Sequence, residues 1–458
     1  MDVIETDYLV VGAGLAGMGF VDSLLDVSDA DIVMLDRRHA PGGHWLDSYP
    51  FVRLHQPTPW YGVGSTPNDD DRLEIGGPED GSYGRASGVE LRDYFANVMR
   101  DRFLPSGRVR FFPMTDYAGR GRFRSVFGGA ETEVRVRRKV VDATYMPSES
   151  PESFAPPFDV GDGTPLVTPT GLTKLTDAAG AVVIGAGKTA TDTCVWLLEQ
   201  GCPPENITWV RSRDAWFLNR YFMQPNRLAA QTIDGTARFV EAIAGCDSID
   251  AAFERLESDD YVRRIDREVT PTVFRGAVLS DYEIELLRGI HHVVRGRVRS
   301  VASGRMVLDS GDGTDEVAVA PGRVFVHCAA PGLARKPLIP VFDGDRITVQ
   351  YLTRASLSLS SAAIARIETL AYDDDAKNAL CPPRYLPTTP LEYAQMILGG
   401  LTAEVGWAGE PVLAEWMNAT RVNVTRDAMS DPATQALYGR LFEAFGPASE
   451  RLATYLAA

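Results

Sequence analysis

The chain has 458 residues, too many for one hydrophobic core, so two or three domains are expected. Its 45% hydrophobic and 24% charged residues are those of an ordinary folded protein, which excludes a disordered or fibrous chain. A formal charge of −16 argues against a nucleic-acid partner, because neutralising phosphates needs clustered Lys and Arg.

Met1 to Thr6 is acidic and leads straight into a strand, so no secretory signal is read there. No apolar run approaches the roughly 20 residues that span a bilayer, so no membrane partner is expected. The apolar run Tyr8-Leu9-Val10-Val11 then meets Gly12-Ala13-Gly14-Leu15-Ala16-Gly17. Strand, glycine turn and helix form the fingerprint of a dinucleotide-binding unit. Gly12 permits the tight turn, Gly14 lets backbone approach a pyrophosphate, and Gly17 lets the helix pack on the strand. A helix from Leu15 to about Leu25 would aim its amide end at the phosphate. The following strand, Asp31 to Leu35, ends in Asp36, an acid placed to accept from both ribose hydroxyls and to repel a 2′-phosphate. An unphosphorylated adenosine ribose fits, so FAD or NAD.

The stretch 147–169 is rich in Pro, Ser and Gly and reads as a domain crossing. A second fingerprint follows the strand Ala181 to Ile184: Gly185-Ala186-Gly187-Lys188-Thr189-Ala190. Its helix is expected from about Thr189 to Glu199, with Gly201 as C-cap. The next strand, Ile207 to Val210, ends in Arg211-Ser212-Arg213 where the first unit has an acid. Guanidinium groups there match a 2′-phosphate, so this site is expected to prefer NADPH; the alternative is a solvated surface loop. Residues 226–265 carry Phe239, Ala242, Ile243, Ile249, Phe253 and Leu256 at helical spacing, either a lid or helices that pack on the sheet. A second crossing is expected near Pro321-Gly322, and C-terminal helices at 363–370 and 391–401.

The five cysteines are scattered and odd in number, which suits reduced thiols in the cytoplasm. None forms a Cys-x-x-Cys or Cys-x-x-x-x-Cys pair, which argues against dithiol chemistry beside a flavin. No metal site is read.

The two fingerprints, in this order and with Gly42-Gly43-His44-Trp45 just after Asp36-Arg37-Arg38, resemble the flavin-containing monooxygenase superfamily. The resemblance implies an α/β architecture of two Rossmann-like dinucleotide-binding domains, the NADPH domain inserted in the FAD domain. The expected parts are 1–170 (FAD), 171–322 (NADPH) and 323–458 (FAD and C-terminal helices). It assigns FAD to Gly12, Gly14, Ala16, Gly17, Asp36, Arg37, Gly43, His44, Trp45 and, near the adenine, Met114. NADPH falls to Gly185, Gly187, Lys188, Thr189, Ala190, Arg211 and Arg213. The segment Arg53 to Pro57 looks like the one passing the flavin's reactive edge, making Gln56, His55 and His44 the candidate chemical residues. By the same likeness, Val324 to Ala330 is the return strand to the FAD domain. The Phe-x-Gly-x-x-x-His element of two monooxygenase groups is departed from: Phe158-Asp159-Val160-Gly161 has no histidine at that spacing.

The implied activity is an NADPH-dependent monooxygenase inserting one atom of O2 at N, S or a ketone of a small molecule through a flavin C4a-(hydro)peroxide. Two other readings share the fingerprints: a flavin reductase or dehydrogenase without oxygen insertion, and an FAD-binding sensor or scaffold with a vestigial second site.

Overall fold

The computed structural model describes residues 3–457 except 70, 311, 312 and 355, and is silent on the side chains of residues 310 and 429; Met1 and Asp2 of the acidic N-terminus lie outside it. The apolar strand Ile4–Val11 sits at the centre of a parallel sheet because both its faces are covered. Ile32–Leu35 and Val109–Phe112 lie to one side, Glu131–Asp142 and Arg346–Thr348 to the other. One face packs on helix Leu15–Val27, the other on a small meander of Thr115–Gly119, Arg122–Ser125 and the start of Glu131–Asp142. Helix Leu357–Glu368 lies parallel to Leu15–Val27: Gly19 faces Ser361, and Ser23 donates to the Ala362 carbonyl at 3.0 Å. A Cβ on Gly19 would stand 2.3 Å from Ser361 Oγ, so the glycine is what permits this approach.

A second parallel sheet repeats the plan in the order Val293–Arg295, Ile207–Arg211, Gly180–Ile184, Arg323–His327, Leu166–Val167. Helices Lys188–Glu199 and Asp281–Arg288 cover one face. The other meets the antiparallel strands Arg297–Ala302, Arg305–Ser310 and Gly313–Ala318. Phe158 packs edge-on against His327 on this face.

One expected strand is elsewhere. Arg323–His327, read as the return to the first sheet, pairs in parallel with Gly180–Ile184 in the second. The chain re-enters the first sheet with the hairpin of Phe342–Asp343 and Arg346–Thr348, the second of which pairs with Glu131–Asp142. Apolarity marked the strand correctly, but the apolar run Val324 to Ala330 suits any buried parallel sheet and so does not say which.

Helices Ala229–Gly245 and Ile249–Ser258 pack on a small sheet of Ala215–Asn219, Val262–Arg263 and Val273–Leu279, through Trp216, Leu218, Phe274 and Val278. They share a core with Pro390–Ala408 and Pro432–Ala457, built on Phe239, Phe253, Phe274 and Tyr393. Tyr261 and Tyr393 close their hydroxyls on each other at 2.9 Å inside it. No helix among the described residues is long and apolar enough to cross a membrane.

Candidate functional site

The first cradle has the geometry its glycines anticipate. Gly12 adopts φ +105°, and a Cβ on Gly17 would lie 1.9 Å from the Gly12 carbonyl oxygen. Helix Leu15–Val27 therefore starts in direct backbone contact with the strand end, its free amides turned outward. Gly43, at φ +59°, crosses above Gly14, where a Cβ would stand 2.9 Å from the Gly14 Cα. The Gly42 amide donates to the Ala13 carbonyl at 2.8 Å and fixes this crossing. Asp36 is buried and accepts from the amides of Ala13 (2.7 Å) and Arg38 (2.8 Å), which aims its carboxylate into the turn. Met114 lies next to it at φ +53°, its amide on the Arg38 carbonyl. Ala16 is half-buried in the helix–sheet core, while Arg37 turns away to Asp116 at 3.1 Å. Because Leu357–Glu368 runs parallel to Leu15–Val27, its Ser356-capped N-terminus adds a second positive helix end on the cradle's side; no sequence motif pointed to it.

His44 and Trp45 follow the crossing with rings 4.7 Å apart, and the Trp45 indole donates to Tyr61 Oη at 2.6 Å. His44 is exposed, yet protein packed around it desolvates the imidazolium and, with Arg38, lowers its pKa to about 4. His55 is half-buried; desolvation, then Lys188 and Arg220, lower it to about 3. Both imidazoles are thus neutral at pH 7. Gln56 is half-buried.

The second cradle is at Gly185, φ +152°, where a Cβ would stand 2.6 Å from the Cys328 carbonyl oxygen. Gly187 has nothing within 4 Å of its Cβ position, leaving the helix N-terminus above it open. Ala190 is fully buried, Thr189 half-buried in the first turn. Lys188 turns its ammonium back to Asp192, one turn on, rather than outward. The two arginines divide. Arg211 is 4% exposed, stacks on Trp209 at 4.8 Å and pairs with Asp214 at 3.0 Å, its Nε without a partner. Arg213 is exposed and stands near Arg275, whose guanidinium is lowered in pKa by burial and then by Arg213.

The segment between the cradles joins them. Tyr49 donates to Asp192 at 2.7 Å, Phe51 stacks on Trp196 at 4.9 Å, and the His55 carbonyl accepts from Arg220 Nε at 3.1 Å. Beneath lies a buried ionic cluster that sequence reading missed. Arg220 reaches Glu79 (2.5 Å) and Glu283 (2.6 Å); Arg85 reaches the same two at 3.1 and 3.2 Å; Lys188 stands 3.6 Å from Glu283. Arg85, Arg220 and Lys188 balance Glu79, Glu283 and Asp192. One signal was available. Ser280-Asp281-Tyr282-Glu283 is a capping box, and both of its bonds are formed. It marks the helix start, though not the ion pairs. Cys194 and Cys328 are both buried close together with pKa values raised by burial, a proximity that sequence spacing could not reveal.

No family model matches the chain. Uncharacterized proteins of Mycobacterium tuberculosis (strain H37Rv) and Mycobacterium bovis are each 39% identical over 429 residues, which cover 93% of this chain and 79% of theirs. Among solved structures, an open cyclohexanone monooxygenase superposes with a TM-score of 0.53 at 14% identity, over 97% of this chain and 99% of that one. An oxidized steroid monooxygenase bound to NADP gives 0.51 at 15%, over 82% and 86%. At such identities these two establish the fold.

Proposed function

We propose that this chain, which belongs to one family with those mycobacterial proteins and is a divergent member of the flavin-containing monooxygenase-like superfamily, is an FAD- and NADPH-dependent monooxygenase of a small molecule. The observation that carries the reading is the pair of glycine cradles, one ending in a buried acid and one in arginines, clamped together through Tyr49–His55. When bound, the flavin supplies the redox chemistry between NADPH and O2.

The chain's own residues position and shield. Gly12, Gly14 and Gly17 bring helix amides to the pyrophosphate of FAD, Asp36 takes its ribose hydroxyls, and Met114 borders the adenine. Gly43 and Trp45 wall the ring side. His44 and His55 are uncharged at neutral pH, so they offer hydrogen bonds without drawing in water or counter-ions. Gln56 would offer its amide to the same edge. Gly185 and Gly187 place the second helix N-terminus for NADPH, with the paired Lys188 and Asp192 in its first turn.

The test is a screen of NADPH oxidation with H2O2 accounting across amines, thiols and ketones. One class is expected to couple consumption to an oxygenated product; H2O2 accounting for all consumption in every class would reject oxygen insertion.

Burial moves the discrimination between nicotinamides toward Arg213. Arg213→Ala is expected to raise the KM for NADPH about ten- to hundredfold, from loss of a charge-assisted pair of about 1.5–3 kcal/mol, while KM for NADH stays put. Arg211→Ala is expected to lower Tm more than it shifts this ratio. Parallel changes for both nucleotides in Arg213→Ala would remove its role. Asp36→Ala is expected to purify with substoichiometric flavin, read as visible flavin absorbance per protein; full occupancy would contradict the ribose role.

A further inference from the structure

Away from both cradles, a cavity of about 1020 Å³ opens between helices Leu15–Val27 and Leu357–Glu368, the loop residues 59–69 and the 416–434 segment. Arg366 lies in its wall with its side chain only 18% exposed. Its guanidinium has a long ion pair to Asp26 at 3.8 Å, and among the described residues its Nε is sealed from water without a hydrogen-bond partner. An arginine presents five donors in a planar fork, and leaving them unmet in a half-buried place is costly. The Trp416 ring lies over the guanidinium, its centroid 5.3 Å from the Arg366 Cζ.

The carboxylates beside the fork are already engaged. Arg102 takes Asp22 at 2.6 Å and Asp26 at 2.7 Å, and Ser65 donates to Asp22 twice, through Oγ and its amide. Arg421, which donates to the Tyr61 and Val63 carbonyls, joins Arg227 and Arg426 as further cations of a wall that also carries Asp69, Asp71, Asp427 and Asp431. Pro59, Ala362 and the Trp416 ring supply apolar surface. The size is at the upper end of ordinary small-molecule sites, about 300–1,000 Å³. Arg366 is nine residues beyond Leu357, about 14 Å along the helix from the end that faces the first cradle, so this cavity is separate from the nucleotide sites.

We propose that this cavity is a further ligand site that takes an organic carboxylate, its two oxygens on the Arg366 fork and its apolar body against Trp416 and Pro59. A bidentate pair would satisfy donors that the long Asp26 contact leaves open. The assignment is independent of the reaction at the flavin.

Isothermal titration of the full chain with benzoate, decanoate, their amides and inorganic phosphate tests it. At least one carboxylate is expected to bind, with its amide and inorganic phosphate each at least tenfold weaker. Arg366→Gln is expected to lose at least tenfold in that affinity while oxidising NADPH at the wild-type rate. Arg366→Lys, which keeps the charge but not the fork, is expected to weaken binding as well and carries the test if the Gln variant unfolds. No binding of either carboxylate, an amide or phosphate binding equally well, or unchanged affinity in the variants would each overturn the proposal.

Discussion

Glu283→Gln is expected to remove about 3–5 kcal/mol of folding stability, the usual cost of breaking a buried ion pair from one side. The carboxylate is 4% exposed and faces Arg220, Arg85 and Lys188. Removing one of three anions leaves three cations against two, in a place where water cannot compensate. Burial by itself would raise the Glu283 pKa, but Lys188, Arg220 and Arg85 together outweigh it and hold the carboxyl well below its usual range. A depressed folded-state pKa fixes the sign: the stabilisation is full above the ordinary value of 4.5 and is lost as pH falls toward the folded-state value. Wild type should therefore lose stability on acidification below that point, and Glu283→Gln should lose much less of what remains. Urea unfolding across that range measures both. A loss under 1 kcal/mol at neutral pH would mean the cluster relaxes or admits water. The variant should also raise the KM for NADPH, since Lys188 and the Tyr49–Asp192 contact lean on the same cluster.

That cluster marks the boundary of what sequence could reveal. The two cradles were legible because a dinucleotide turn constrains backbone, and backbone constraint shows as glycine at fixed spacing: Gly12, Gly17 and Gly185 each sit where a Cβ would collide. Asp36 was legible because the strand end dictates where its carboxylate goes. Glu79 with Arg85, Arg220, and Glu283 come from three distant segments, and no local periodicity encodes a meeting of that kind. Arg211 and Arg213 illustrate a finer limit. Two residues apart on the same strand end, they looked equivalent, and only the Trp209 ring and Asp214 beside Arg211 separate a buried structural arginine from an exposed one. The sheet of Arg323–His327 was misjudged for a related reason, since an apolar run reports burial and not its neighbours.

Gly17→Ala is expected to yield a protein that neither retains flavin nor holds its normal stability. The added Cβ would lie 1.9 Å from the Gly12 carbonyl oxygen and 3.3 Å from Ala143 Cβ, so a flexible side chain cannot simply step aside. Ordinary contact requires the helix start and the strand end to part by more than about 1 Å, a backbone shift of the kind that costs about 1–3 kcal/mol in a packed core. The same shift tilts the amides of Leu15–Val27 away from the pyrophosphate position and strains the Gly42 bond to Ala13, which seats Gly43 over Gly14. Fold and cofactor site therefore fail together at one atom. Gly187→Ala is the control: its Cβ position is empty to 4 Å and its backbone, φ −102°, suits any residue. It should leave Tm within about 0.5 kcal/mol equivalent of wild type, as an unstrained surface substitution does, while the methyl intrudes where a phosphate would approach and raises the KM for NADPH. Flavin content and thermal unfolding of both variants, with NADPH kinetics for the second, make the comparison. Flavin retained at full occupancy by Gly17→Ala would show that the cofactor does not rest on this turn, and an unchanged KM in Gly187→Ala would clear the second turn of the NADPH phosphate.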